Sequence, residues 1–144
     1  MKKTGKVVIG MVLGLIMVAS MAWAATDNKD GTIDAEGIVW LKDGRCLGPG
    51  TWAEAKTKVA QLHDGVCGLK DGSQAGDWRL PDEVDLSHRS RDYAAFNAYM
   101  AFYWSSTRDA RYANGIIIVG IGGGGEKVVA ETSRAYVWAV RNKR

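Results

Sequence analysis

Five polar or aromatic side chains cluster late in the chain, where their types suit recognition rather than catalysis. They are Arg108, Asp109, Arg111, Tyr112 and Asn114. Tyr and Arg are the residues that most often anchor binding surfaces, because each combines a large contact area with polar groups. An ordinary solvated loop has the same composition and remains the alternative. The pattern predicts a candidate ligand-binding turn.

Residue patterns typical of enzymes are absent from the sequence. His63 and His88 lie far apart in the sequence, and neither belongs to a set of ligands with the spacing of a metal site. No Gly-x-Ser-x-Gly motif occurs. The run Gly122 to Gly125 is followed by neither a helix nor Lys-Ser/Thr, so a hairpin turn is favoured over a phosphate loop. We therefore expect no catalytic residues, no metal site and no cofactor.

A short acidic segment, Asp27 to Gly31, has oxygen ligands at alternating positions, as calcium loops do. Lys29 lies in its middle, and no glutamate stands at the twelfth position. The segment is therefore interpreted as a turn, with calcium binding left as the alternative.

The first 24 residues are typical of a secretory signal peptide. A basic start precedes the apolar stretch Val7 to Ser20, and Ala22-Trp23-Ala24 supplies small residues at the −3 and −1 positions. Cleavage is expected between Ala24 and Ala25, with an uncleaved membrane anchor as the alternative. No stable membrane span is expected after cleavage, and the protein should be exported to the periplasm or the cell surface.

The mature chain, residues 25–144, is electrically balanced. The whole chain has 19 Lys+Arg and 16 Asp+Glu, and three of the lysines fall in the signal segment. Removing them leaves a net charge of zero, so the basic character gives no support to nucleic-acid binding. The remaining 120 residues are the size of one domain with its own core.

Cys46 and Cys67 are the two cysteines, and both lie in the mature chain. An even number of cysteines in an exported protein favours a disulfide over free thiols. A zinc site is the competing interpretation, but two cysteines alone do not supply its four ligands. The bridge would join the two ends of a helical region.

Local patterns predict a mixed succession of elements. A hairpin is predicted from Thr32-Ile33-Asp34 and Gly37 to Leu41, followed by a helix over Thr51 to His63 with a capping box between Thr51 and Glu54. Pro81 marks the start of a second helical region, read as two short helices up to Met100, with Ser87 to Asp92 too polar to bury. The strand candidates that follow are Phe102 to Ser105, Gly115 to Ile121, Lys127 to Ala130 and Ala135 to Arg141.

Six blocks in one order resemble a known bacterial domain. They are DNKDGTID (27–34), GIVWLKDGRC (37–46), TWAEA (51–55), CGLKDGSQAGDWRLP (67–81), YWSST (103–107) and YVWAVR (136–141). Together they resemble the C-terminal domain of the collagen-like adhesin family (Lcl-C). The family is related to C-type-lectin-like domains and, distantly, to formylglycine-generating enzymes.

The resemblance implies an α+β, C-type-lectin-like fold in residues 25–144. Two helices would flank a small, mostly antiparallel sheet in which the N- and C-terminal strands pair. Arg79 would bond backbone or a nearby carboxylate as part of the structural core. The tryptophans assigned to that core are Trp40, Trp52, Trp78, Trp104 and Trp138.

The chain lacks the functional motifs of its enzymatic and calcium-dependent relatives. No cysteine follows Cys67, so the redox chemistry of the formylglycine-generating enzymes is not supported. Trp104 is followed by serines rather than by Asn-Asp, so calcium-dependent sugar binding is not indicated. We expect an exported, non-catalytic, adhesin-like domain that binds an extracytoplasmic glycan or protein. A structural cell-envelope subunit is the alternative, and an enzyme is a more distant one.

Overall fold

The computed structural model describes residues 4–5 and 24–144. The predicted signal peptide, with its Ala22-Trp23-Ala24 motif, therefore lies almost entirely outside the described residues. Within the described part of the chain, the helices are all too short or too polar to cross a membrane. The fold is mixed α+β, with two α-helices and two largely antiparallel sheets.

The first sheet brings the two ends of the domain together. Its strands are β1 (Thr26–Asp27), β2 (Thr32–Ala35), β3 (Ile38–Leu41) and, far along the chain, β9 (Val140–Asn142). All neighbours are antiparallel, in the order β1-β2-β3-β9. The predicted hairpin is thus confirmed as β2–β3. The C-terminal strand pairs with β3, the second strand of this hairpin, rather than with the first strand of the domain.

The second sheet carries the late part of the chain. It contains β4 (Pro49–Gly50), β5 (Phe102–Arg108), β6 (Gly115–Gly120), β7 (Gly125–Ala130) and β8 (Ala135–Tyr136). The order is β4-β8-β5-β6-β7, with only the β5–β8 contact parallel. The glycine run forms the β6–β7 turn, as predicted. Two sheets are present where the resemblance implied one.

The predicted strand over Ala135 to Arg141 is wrong as a single element. It divides into β8, in the second sheet, and β9, in the first. Trp138 lies at the crossing, fully buried, and donates its indole N–H to Leu41 O at 2.8 Å. Leu41 N–H in turn donates to Ala139 O at 3.0 Å. The crossing between the sheets buries the Trp138 indole and satisfies these polar groups.

The helices begin where the capping residues predict. Helix α1 spans Trp52–Gln61, and Thr51 accepts a hydrogen bond from Glu54 N. Of the predicted capping box only this half is present; Glu54 lies instead 3.9 Å from Arg134. Helix α2 spans Glu83–Arg89, where Asp82 and Asp85 form a complete capping box. Pro81 precedes this cap, so it stands just before the helix rather than in its first turn.

The break predicted after α2 is confirmed by a separate 3-10 helix at Tyr93–Phe96. One part of this region differs from the prediction, since Arg89 is buried rather than exposed, with only 4% of its surface accessible. Its guanidinium pairs with Asp92 at 2.6 Å and Glu36 at 3.0 Å, and lies 5.4 Å from the ring of Phe96. Paired carboxylates offset the desolvation of the charge, and the long aliphatic stem packs like an apolar residue.

The core is built on aromatic rings. Trp40, Phe96 and Trp138 contact one another edge to face, with centroids 4.9–6.0 Å apart. Tyr103 stacks against Trp138, and its hydroxyl donates to Gly44 O at 2.9 Å. Burial raises the pKa of Tyr103 to about 12, so the phenol stays protonated and keeps this bond.

All five predicted core tryptophans are buried. Trp52 and Trp104 donate their indole N–H groups to Ser105 O and Gly50 O, respectively. Trp78 is 3% exposed, and its indole N–H has no partner among the described residues. Arg79 does bond the backbone, at Leu80 O, and lies 3.7 Å from the carboxylate of Asp85. Its side chain is nevertheless exposed, so Arg79 lies at the surface of the core and not within it.

The predicted disulfide is confirmed. Cys46 and Cys67 are bonded, with Cα atoms 5.8 Å apart, and stand 21 positions apart in sequence. Cys46 precedes α1 and Cys67 follows it, so the bridge ties the two connections of this helix together.

Candidate functional site

The predicted recognition residues occupy the turn between β5 and β6. This turn is closed by hydrogen bonds from Asp109 N to Gly115 O (2.9 Å) and from Gly115 N to Tyr112 O (3.0 Å). Residues 110–114 are exposed, so the turn projects into solvent as predicted.

The buried side chain of Asp109 holds this turn in place. Its side chain is only 6% exposed, and it accepts hydrogen bonds from the backbone N of Arg111 (2.7 Å) and from Nε (3.2 Å) and Nη2 (2.8 Å) of the same arginine. These bonds with Arg111 hold the pKa of Asp109 below its usual range. The prediction that Asp109 itself faces a ligand is therefore corrected: its oxygens are already engaged in positioning Arg111.

Arg111 and Tyr112 form the exposed face of the turn. The guanidinium of Arg111 is 74% exposed and lies 5.6 Å from the ring of Tyr112, which is itself 59% exposed. With Asn114 and Gly115 they line a groove of about 520 Å³, whose other side is Val128 to Ala130 of β7. We name this the Tyr112 groove. Since Asp109 fixes Arg111 in advance, little conformational entropy would be lost when a ligand binds.

Arg108 belongs to a different surface. It pairs with Glu131 at 2.6 Å, and its guanidinium lies 4.6 Å from the ring of Trp52. Arg108 does not line the Tyr112 groove. Sequence adjacency placed it with Arg111, but it still belongs to β5, whereas Arg111 lies in the turn beyond the strand. The structure thus brings together Arg111, Tyr112 and Asn114, and separates Arg108.

A second cavity, which the sequence interpretation did not anticipate, lies at the opposite end of β7. It has a volume of about 700 Å³ and separates α2 and the 3-10 helix from the glycine-rich β6–β7 turn. Its lining includes Ser87, Arg91, Tyr93 and Glu126, and we name it the Tyr93 cavity. Ser87 donates its hydroxyl to Glu126 at 3.0 Å across it. The polar run Ser87 to Arg91 was the available signal, since such residues at a helix end suit a solvent-filled cleft.

The backbone geometry of the β6–β7 turn explains its glycines. Gly122 and Gly123 have φ of +89° and +107°, which side chains rarely adopt. A Cβ on Gly120 would come within 2.5 Å of the Gly124 backbone. The run therefore closes a tight hairpin, as the sequence predicted.

The carboxylates of the acidic segment Asp27 to Gly31 accept hydrogen bonds from other residues of the same chain. Asp27 accepts from Lys42 Nζ at 2.6 Å and from the backbone and side chain of Lys29, and these bonds hold its pKa well below the usual range. Asp30 accepts from the backbone and the hydroxyl of Thr32. Among the described residues, no group of three or more metal-binding side chains is brought together.

Comparison with known proteins identifies the family. The family model of the Lcl C-terminal domain matches residues 29–141, which is most of the chain and nearly all of the described fold. No curated protein matches the chain. On the strength of that match, the chain belongs to the Lcl C-terminal domain family.

Proposed function

We propose that this protein is an exported, non-catalytic binding domain, with residues 1–24 as its signal peptide and residues 25–144 as its functional unit. It recognises an extracytoplasmic glycan or protein through the Tyr112 groove. The disulfide supports export, since such bonds persist in oxidising compartments. A C-type-lectin-like fold is part of the proposal, supported by the pairing of β9 with the N-terminal hairpin.

The observation that carries the proposal is the exposed Arg111–Tyr112 pair on a turn fixed from within by Asp109. The buried Asp109 carboxylate holds the backbone of the turn and also orients the Arg111 guanidinium, which points to solvent and not into the core. It thereby prepares a rigid surface that combines a flat aromatic ring with several free N–H donors. Such surfaces bind both sugar rings and protein side chains, so a glycan and a protein both fit as the partner.

Binding arrays of glycans and envelope proteins, probed with purified residues 25–144, test the proposal. Tyr112→Ala and Arg111→Ala should each weaken the hits about tenfold or more, because each removes an anchor of the groove. Arg108→Ala is the matched control: the same substitution three positions away, outside the groove, should leave binding unchanged.

Circular dichroism should show that all three variants keep the parent's fold, since the truncated side chains are exposed. Equal binding by the parent, Tyr112→Ala and Arg111→Ala would refute the proposal. Loss of binding in Arg108→Ala alone would move the recognition surface to the face of α1.

A further inference from the structure

The two sheets have four edge strands, and three of them are very short. β1 and β4 have two residues each, and β4 contains Pro49, which cannot donate to a neighbouring strand. β9 has three residues, and Arg79 covers its outer side through paired bonds with Val140 of 2.8 and 2.9 Å. Short or covered edges are how proteins prevent unwanted strand pairing.

β7 is the exception. It has six residues, each opposite a residue of β6, and no strand pairs with its outer side in the described part of the chain. An edge of this length offers a row of backbone donors and acceptors to an incoming strand.

The backbone groups that face outward can be identified from the neighbouring strands. Ile121, the residue after β6, donates its N–H to Ala101 O at 2.9 Å. The backbone groups of the odd-numbered residues of β6 therefore point towards β5. Successive residues of a strand direct their backbone groups to opposite sides, so the even-numbered residues of β6 bond β7. These stand opposite Gly125, Lys127 and Val129. The N–H and C=O groups of Glu126 and Val128 and the N–H of Ala130 therefore point outward, whereas the Ala130 carbonyl already accepts from Ser133 N at 2.9 Å.

The side chains of these same alternate residues lie on one face of the sheet, because side chains alternate along a strand. Glu126 lines the Tyr93 cavity and Val128 lines the Tyr112 groove, so both cavities open on this face. Glu126 and Ala130 are about 13 Å apart at roughly 3.3 Å per residue. A strand added to β7 would direct every second side chain towards this face, with one cavity near each of its ends.

Charge indicates what the added strand carries. The Tyr93 cavity holds Arg91, which is exposed, beside Glu126, whose carboxylate accepts the Ser87 hydroxyl. The Tyr112 groove holds Arg111, whose guanidinium is paired with Asp109 yet 74% exposed. A strand with an acidic side chain near each end complements both. A second copy of β7, paired antiparallel about a two-fold axis, would bring Arg91, Glu126 and the Arg111 of the other copy to each end. It would thus supply one carboxylate for two arginines at each end, and an acidic segment complements them better.

We propose that β7 is a docking strand for an extended segment of another polypeptide, with acidic side chains near both of its ends. The segment extends the second sheet by one strand and places alternate side chains in the Tyr93 cavity and the Tyr112 groove. This inference rests on the proposed function, with which it shares the groove, and narrows the partner class to a polypeptide.

The test uses a phage-displayed library of random 12-residue peptides and immobilised residues 25–144. We expect enrichment of peptides with two acidic residues an even number of positions apart. Synthetic versions should lose tenfold or more in affinity when alternate backbone nitrogens are N-methylated, because those N–H groups pair with β7. Arg91→Gln and Arg111→Gln should each weaken binding about tenfold, whereas Lys127→Ala, on the opposite face, should not.

Val128→Pro removes one outward N–H and leaves every bond to β6, so it should abolish peptide binding in a folded protein. If that variant does not fold, the N-methylated peptides decide the question by themselves. Peptides insensitive to N-methylation, or no enriched peptide, would overturn the inference.

Glycan-array hits that depend on Tyr112 alongside a failed peptide selection would leave the proposed function standing without this inference. If neither the glycan array nor the peptide selection yields a binder, both the proposed function and this inference are refuted. A dimer in analytical ultracentrifugation that Val128→Pro dissociates would assign the edge to a second copy instead.

Discussion

Two buried tryptophans allow the value of one indole hydrogen bond to be measured within this core. Trp40 and Trp104 are 1% and 0% exposed. Trp104 donates to Gly50 O at 2.8 Å, whereas the indole N–H of Trp40 has no partner among the described residues. Phenylalanine at either position keeps an aromatic ring and removes the N–H, so Trp40→Phe and Trp104→Phe form a matched pair.

The expected magnitudes follow from the contacts. Each change removes two carbon-sized groups from the core, worth about 1.5 kcal/mol at roughly 0.8 kcal/mol per buried methylene. Trp104→Phe also deprives the Gly50 carbonyl of its donor, at a further cost of about 1–3 kcal/mol. Trp40→Phe loses no hydrogen bond and removes an unsatisfied buried donor. Trp104→Phe should therefore be the more destabilising variant by at least about 1 kcal/mol.

Urea unfolding of residues 25–144, with the disulfide intact and followed by far-ultraviolet circular dichroism, gives both free energies. Fluorescence is unsuitable, since each variant removes a reporter. Equal losses in the two variants, or a larger loss for Trp40→Phe, would refute the assignment of the Trp104–Gly50 bond as a stabilising contact.

Three further outcomes are expected. Cys46→Ser should lower the free energy of unfolding by about 2–5 kcal/mol, because the bridge restricts the unfolded chain, and two titratable thiols in protein from the cell envelope would contradict the pairing in vivo. Stability should fall as the pH drops below about 4, because the Asp71 carboxylate stabilises the fold only when it is ionised. Burial opposes ionisation of Asp71, but hydrogen bonds from Ser73 and Arg141 prevail and lower its pKa. The stabilising effect of Asp71 is therefore present above the pKa of the unfolded state and is lost as the carboxylate protonates. Thermal melts of Asp71→Asn should show a shallower acid dependence than the parent, and an identical slope would argue against this pair as the source. Mass spectrometry of the exported protein should find Ala25 at the N-terminus, whereas an intact Met1 form in the membrane fraction would identify an anchor.

Local rules were sufficient where the stabilising contact is close in sequence. Thr51 and Asp82 cap their helices through residues three positions away, so the side-chain pattern specifies the helix starts. The β2–β3 and β6–β7 hairpins follow from turn residues between two apolar runs in the same way. Cysteine number and export predicted the bridge without any geometry.

The sequence misled where the burial of a polar side chain depends on how the chain folds around it. Arg89 looked too polar to bury, but Glu36, more than fifty positions earlier, helps to compensate its charge. Asp109 looked like an exposed ligand contact, whereas the fold of the turn encloses it beneath Arg111. Arg79 was assigned to the core on the family resemblance, yet its side chain lies at the surface.

The sequence by itself therefore determined the family, the class of secondary structure, the disulfide and the tryptophans of the core, because these depend on residue type and short spacing. Tertiary structure alone decided which residues of the late turn share a surface. It also decided that the chain crosses between two sheets at Trp138, and that one edge strand stays open beside two cavities. Such features depend on strand order and long-range pairing, and neither can be obtained from the spacing of residues along the chain.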